Sequence, residues 1–105
     1  MGLQAGTGVV DITPREPMFL VGYPHVPRIS RGVHDPLYAT ALCLKTAETS
    51  LIIVAVDILL IEKTTVARCR AAIQAATGVA PGHILISATH THSGPVTFEY
   101  LSMSA

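Results

Sequence analysis

Between Leu51 and Thr89 the sequence changes its hydrophobic period twice, and this change restricts the possible folds more than any other feature of the chain. Leu51-Ile52-Ile53-Val54-Ala55-Val56 is apolar at every position, the pattern of a strand covered on both faces in the middle of a sheet. Glu62 to Thr77 then sets Val66, Cys69, Ile73 and Ala76 at helical intervals, with acidic Glu62 in the first turn and Gly78 and Pro81 past the end. That spacing predicts a helix with both termini marked. His83 to Thr89 is again short, apolar and β-branched. Strand, helix and strand in this order make a βαβ unit, in which the two strands run parallel and the crossover is right-handed in nearly all proteins.

The chain before this unit reads as further β structure interrupted by a loop. Tyr38 to Thr46 and Leu51 to Asp57 flank the polar Glu48-Thr49-Ser50, which predicts a β-hairpin. Gly8 to Thr13 predicts a first strand, stopped by Pro14. From Pro14 to Pro36 the chain holds Pro17, Gly22, Pro24, Pro27 and Gly32 with no sustained period, and structureless loops of this length are commonly functional. The expected architecture over 1–105 is one small α/β domain: a mixed sheet with a hairpin, one right-handed βαβ unit, and a long irregular loop after the first strand.

Composition bears on partners. Half of the residues are hydrophobic and 13% are charged, against the usual quarter, so part of the outside is expected to be covered, by a second copy or by a C-terminal segment beyond this chain. Seven basic residues balance seven acidic ones without clustering, which argues against nucleic acid or anionic lipid as a partner. Cys43 and Cys69 have no framework spacing and are expected as reduced, buried thiols. No basic-then-apolar leader and no apolar run near the ~20 residues of a membrane span is present. The expected location is cytoplasmic as the chain stands, or secreted if it is a piece of a longer protein.

Chemistry concentrates at the strand ends. In parallel α/β sheets, ligands gather at the carboxyl ends of the strands, and the two strands of the βαβ unit end in Asp57 and in Thr89-His90-Thr91-His92. In an extended chain His90 and His92 point to one side, so both can meet one metal ion, with Asp57 either as a third ligand or as a residue that caps the turn or orients a histidine. Two histidines and a carboxylate would just meet the minimum for zinc. Ser93-Gly94 reads as ordinary turn chemistry or as backbone N–H groups facing an oxyanion or phosphate. The long loop offers Arg15, Tyr23, His25, Arg28, Arg31, His34 and Asp35. Of these, Gly32-Val33-His34-Asp35-Pro36 is the strongest contributor, because Asp35 can orient the His34 imidazole; a solvated turn is its alternative. His25 reads as a plain loop residue, and His83 lies at the opposite end of its strand.

Four segments together resemble the N-terminal part of the neutral/alkaline non-lysosomal ceramidases: Gly8-Val9-Val10-Asp11-Ile12-Thr13-Pro14, Gly32-Val33-His34-Asp35-Pro36-Leu37-Tyr38-Ala39, Val54-Ala55-Val56-Asp57, and Ile86-Ser87-Ala88-Thr89-His90-Thr91-His92-Ser93-Gly94-Pro95. The Thr-His-Thr-His-Ser-Gly-Pro string is the most specific of them. The resemblance implies a zinc-dependent amidase that cleaves the N-acyl bond of ceramide or a related amide. It implies that one histidine of the string, taken as His90, ligates zinc and that His92 lines the pocket near the scissile amide, with the exchange of the two roles left open. His34 and Asp35 match the family's Gly-x-His motif at the pocket edge, and Thr40 stands where an arginine is frequent. The family completes its zinc site with a further histidine, a glutamate and a tyrosine, and carries a catalytic serine, all in downstream segments that this sequence does not contain. Two functional expectations follow. The first is a zinc-dependent amide hydrolase acting on a small-molecule or lipid amide, or the N-terminal piece of one, with His90, His92 and Asp57 as metal candidates, His92 and His34 as catalytic candidates, and Ser93, Gly94 and Asp35 as substrate or anion contacts. The second is a non-catalytic α/β module that oligomerises and binds metal weakly or not at all.

Overall fold

The structure is a computed structural model that describes residues 2–22 and 28–97. Its elements are β1 (Gln4–Asp11), β2 (Phe19–Leu20), β3 (Arg28–Ile29), β4 (Tyr38–Lys45), β5 (Ser50–Val56), α1 (Lys63–Thr77), a 3₁₀ turn (Pro81–His83) and β6 (Ile84–Ala88). Four strands form one sheet in the order β1-β4-β5-β6, and β2 pairs with β3 in a separate small ladder.

The βαβ unit and the hairpin are present as the hydrophobic pattern requires. β5 and β6 run parallel from Ile52 opposite Ile84 to Val56 opposite Ala88, with α1 in the connection. β4 and β5 are antiparallel and end at Lys45 opposite Ser50. Between them, the Thr46 hydroxyl accepts the N–H groups of Glu48 and Thr49 at 3.3 and 3.1 Å, which replaces ladder partners in the turn. β1 begins earlier than the apolar pattern predicts, at Gln4, because it pairs with the whole length of β4. All eight of its residues are exposed, as expected of an edge strand.

α1 packs on one face of the sheet. Ile52, Ile84 and Ile86 form the buried cluster, with Cys43, Val54 and Val56 from the strands and Val66, Cys69 and Ile73 from the helix against it. Both cysteines are free, half-buried thiols. Glu62 is the N-cap rather than a first-turn residue, and Gly78 closes the helix in the left-handed region (φ 77°), its N–H donating to the Gln74 carbonyl. Ala76, expected on the packed stripe, is exposed because the last turn of α1 has run past the cluster.

One expectation is corrected. β5 is central in the hydrogen-bonded order, but among the described residues only one of its faces is covered. On the other face Val9, Leu51 and Leu85 are 60%, 37% and 53% exposed. A sequence that is apolar at every position shows that both faces can be buried; a single 15-residue helix supplies only one layer. No described helix is long and apolar enough to cross a membrane.

The long loop is pinned at its base. Ile12 donates its N–H to the Leu37 carbonyl (2.8 Å), and the Leu37 N–H donates back to the Thr13 hydroxyl oxygen (2.8 Å). Asp11 accepts the Thr13 N–H at 2.8 Å, and the Thr13 side chain, then its N–H, hold the Asp11 carboxyl below the ordinary carboxylate range. Within the loop, β2 and β3 make a two-residue ladder, Phe19 opposite Ile29 and Leu20 opposite Arg28. This strap has no counterpart in the sequence pattern, since two residues carry no readable period.

Candidate active site at the strand ends

β5 and β6 deliver their C-terminal ends side by side. Beyond the last ladder pair, the Thr89 N–H donates to the Val56 carbonyl (2.9 Å) and the His90 N–H to the Ile58 carbonyl (3.0 Å). Asp57 lies between these strand ends. One of its carboxylate oxygens accepts the Tyr38 N–H at 2.9 Å, and the other accepts the Thr89 hydroxyl at 3.1 Å. Asp57 thus ties the start of β4 to the histidine string.

His90 and His92 do converge, although by a different route from the extended alternation that the sequence suggests. Neither lies in a strand, and His90 has a left-handed backbone, φ 69°. Non-glycine residues adopt this region at a cost of roughly 1–2 kcal/mol. The strain is maintained by two bonds to the β5–α1 connection: the His90 N–H to Ile58 and its ring Nδ1 to the Leu59 carbonyl at 2.8 Å. His92 Nδ1 bonds the Gly22 carbonyl, also at 2.8 Å. The two rings meet edge to face, with centroids 5.0 Å apart. A carbonyl oxygen only accepts, so each Nδ1 carries the proton, and the basic lone pair of each neutral imidazole sits on Nε2. This is the form in which imidazole binds a metal or takes up a proton.

The donor type therefore suits zinc, but the set is incomplete: among the described residues, no three His, Cys, Asp or Glu side chains group so as to hold a metal ion. Asp57 does not complete a three-ligand group with the two histidines. Its two oxygens bond the Tyr38 N–H and the Thr89 hydroxyl rather than either imidazole.

The strap reaches the histidine string from the far side of the sequence. Val21 donates its N–H to the Gly94 carbonyl (3.1 Å), and Val96 donates to the Phe19 carbonyl (2.9 Å). Leu20 bridges Pro95. Arg28 Nη2 donates to the carbonyls of His92 (2.8 Å) and Val21 (3.1 Å). Gly22 has φ 126°, and a Cβ there would lie 2.7 Å from the Cβ, Cγ and Nδ1 of His92. Sequence reasoning placed Arg28 among seven loop candidates and treated Gly22 only as a loop marker. The adjacent glycine and prolines signal irregular backbone, but nothing local shows which residues they approach.

A cleft of about 650 Å³ lies beside the string, walled by Met18, Leu20 and Ile29 of the strap, by Arg31, His34 and Asp35 of the loop, and by Asp57, Thr91 and Ser93. The string contributes Thr91 and Ser93 to its described lining. His34 Nδ1 and Asp35 pair at 2.7 Å on the open rim, with side chains 96% and 83% exposed. Ser93 and Gly94 show turn chemistry: the Ser93 N–H donates to the Thr91 hydroxyl at 3.3 Å, and Gly94 is buried, its carbonyl engaged by Val21. Tyr23 and His25 lie outside the described residues, and His83 sits in the 3₁₀ turn at the opposite end of β6.

Comparison with known families decides the relationship. The family model described as neutral/alkaline non-lysosomal ceramidase, N-terminal, matches residues 3–104. The chain belongs to this ceramidase family. Among solved structures it is similar to the neutral ceramidase of Pseudomonas aeruginosa, with 28% identity over 91% of this chain and a TM-score of 0.76. It is also similar to a ceramidase complexed with C2, with 28% identity, the same coverage and a TM-score of 0.75. The chain spans 16% of the length of each of these ceramidase chains. A search of curated proteins finds no match.

Proposed function

We propose that this ceramidase-family chain supplies two metal-binding imidazoles and part of the substrate cleft of a zinc-dependent N-acyl amide hydrolase. The observation that carries the reading is the pair His90 and His92, rings 5.0 Å apart, each with Nδ1 donating to a backbone carbonyl. Zinc bound there would polarise an amide carbonyl and acidify a water. His90, rigidly seated on the β5–α1 connection, is the better suited of the two to ligate. His92 is suited to the same role or to proton transfer near the scissile bond through Nε2. Asp57 orients the string through Thr89. His34, with Asp35 bonded to its Nδ1, carries its own Nε2 at the cleft rim, where it is a second proton-transfer candidate. The apolar strap residues beside Arg31 and the His34–Asp35 pair suit a substrate with an apolar chain and a polar head, as a lipid amide has.

The remaining ligand is proposed to come from polypeptide outside the described residues, either the rest of a longer ceramidase-like chain or a second subunit. The same polypeptide would cover the open sheet face. Zinc content of the purified protein tests this reading. Zinc bound by the wild type after metal supply and lost in His90→Ala supports it; no specific zinc uptake even with zinc supplied contradicts it.

The open face also favours a second reading, a non-catalytic module that associates through Val9, Leu51 and Leu85. Sedimentation separates the two: self-association unaffected by His90→Ala, together with no zinc uptake, is the outcome of the second.

A further inference from the structure

We propose that Gly22 and Arg28 form a clasp that locks the His92 ring as its Nδ1–H tautomer, and that both are therefore positioning residues of the site. The inference rests on the reading of the histidine pair as the working site, and it concerns residues 64 and 70 positions from His92 in the sequence.

An unrestrained neutral imidazole in water favours the proton on Nε2, which would leave the lone pair on Nδ1 instead. The Gly22 carbonyl, 2.8 Å from His92 Nδ1, reverses that preference because it can only accept. The carbonyl gets this close only because no side chain intervenes. A Cβ on residue 22 would sit 2.7 Å from the ring, and φ of 126° is a backbone conformation that side-chain-bearing residues rarely adopt. Arg28 fixes both ends of the contact. Its Nη2 binds the carbonyl of His92 itself and that of Val21, the residue before Gly22, and the planar guanidinium holds the two carbonyls in one geometry. His90 shares none of these partners, since its Nδ1 is satisfied by Leu59. The two imidazoles thus have independent supports, and His90 serves as an internal control.

The test is ¹⁵N-detected spectroscopy of the histidine rings in the full chain at about pH 8, above the ordinary histidine range. It needs neither metal nor turnover, so the clasp can fail while the hydrolase reading stands, and the reverse. Wild-type His92 is expected as the Nδ1–H tautomer. Gly22→Ala and Arg28→Met are each expected to shift His92 toward a majority of Nε2–H while leaving His90 unchanged, and Arg28→Lys is expected to fall between wild type and Arg28→Met. Where Gly22→Ala does not give a dispersed amide spectrum, Arg28→Met decides, and the wild-type tautomer is a test by itself. The clasp is overturned by a wild-type His92 protonated on Nε2, by folded variants that keep Nδ1–H, or by equal changes at His90 and His92, which would show general loosening instead of positioning.

Discussion

The two imidazoles are held by very different parts of the molecule. His90 is bonded to residues 58 and 59, immediately after β5, whose strand is packed under α1. His92 is bonded to residue 22, 70 positions away in the sequence, in a strap whose strands are two residues each. The first inherits its order from a hydrophobic layer. The second depends on a few hydrogen bonds and one glycine, the kind of region that opens locally at lower free energy than the core. A site assembled in this way can keep one ligand fixed while the other is adjusted by the loop that also walls the cleft.

This contrast can be broken or sharpened by substitution. Ile84→Ala removes the most buried side chain of the helix-covered layer, 2% exposed, and should cost about 3 kcal/mol in a urea or thermal unfolding curve. It should disturb both histidines together. Gly22→Ala should cost about 2 kcal/mol through backbone strain and the collision with His92, with amide exchange accelerated in 18–22, 28–30 and 91–96 and little changed in β5 and α1. Arg28→Met, which keeps an unbranched stem but removes the guanidinium and with it the bonds to the His92 and Val21 carbonyls, should cost about 1.5 kcal/mol with the same regional pattern. A comparison within one position probes the other support: His90→Gly should be about 1 kcal/mol more stable than His90→Ala, because only glycine relieves the left-handed backbone. The smallest effect belongs to Asp11, far from the contrast. Its folded carboxyl titrates below the ordinary range, so its stabilising contribution is complete above that range and lost as pH falls through the lowered value. Asp11→Asn should flatten the acid end of the stability profile without touching either histidine resonance.

Much of the frame was legible because it is written in local periods. The unbroken apolar run of β5, the 3.6-residue spacing of Val66, Cys69 and Ile73, and the Gly78 terminus predict the βαβ unit and, through it, the shared rim of Asp57 and the histidine string. Coverage of β5 was overread, since an all-apolar strand records what may be buried and not which layer does so. At the site, the sequence brought His90 and His92 together but attributed this to an extended backbone; the structure uses a left-handed residue and two distant carbonyls. Asp57 had two open roles, and neither anticipated its bonds to the Tyr38 N–H and the Thr89 hydroxyl, which tie β4 to the histidine string. Gly22 and Arg28 were illegible as partners of His92 because their contacts span most of the chain and follow from tertiary packing alone. The family resemblance was legible from the Thr-His-Thr-His-Ser-Gly-Pro string, although the chain is only 28% identical to the structural neighbours named above.

The most direct test of the central claim is a zinc titration followed through the ring ¹⁵N resonances of His90 and His92. The account predicts that both Nε2 signals move together toward the metal-bound range with the Nδ1 signals still protonated, and that His90→Ala abolishes the response at His92. Zinc that leaves both rings unchanged, or that engages either ring through Nδ1, would contradict it.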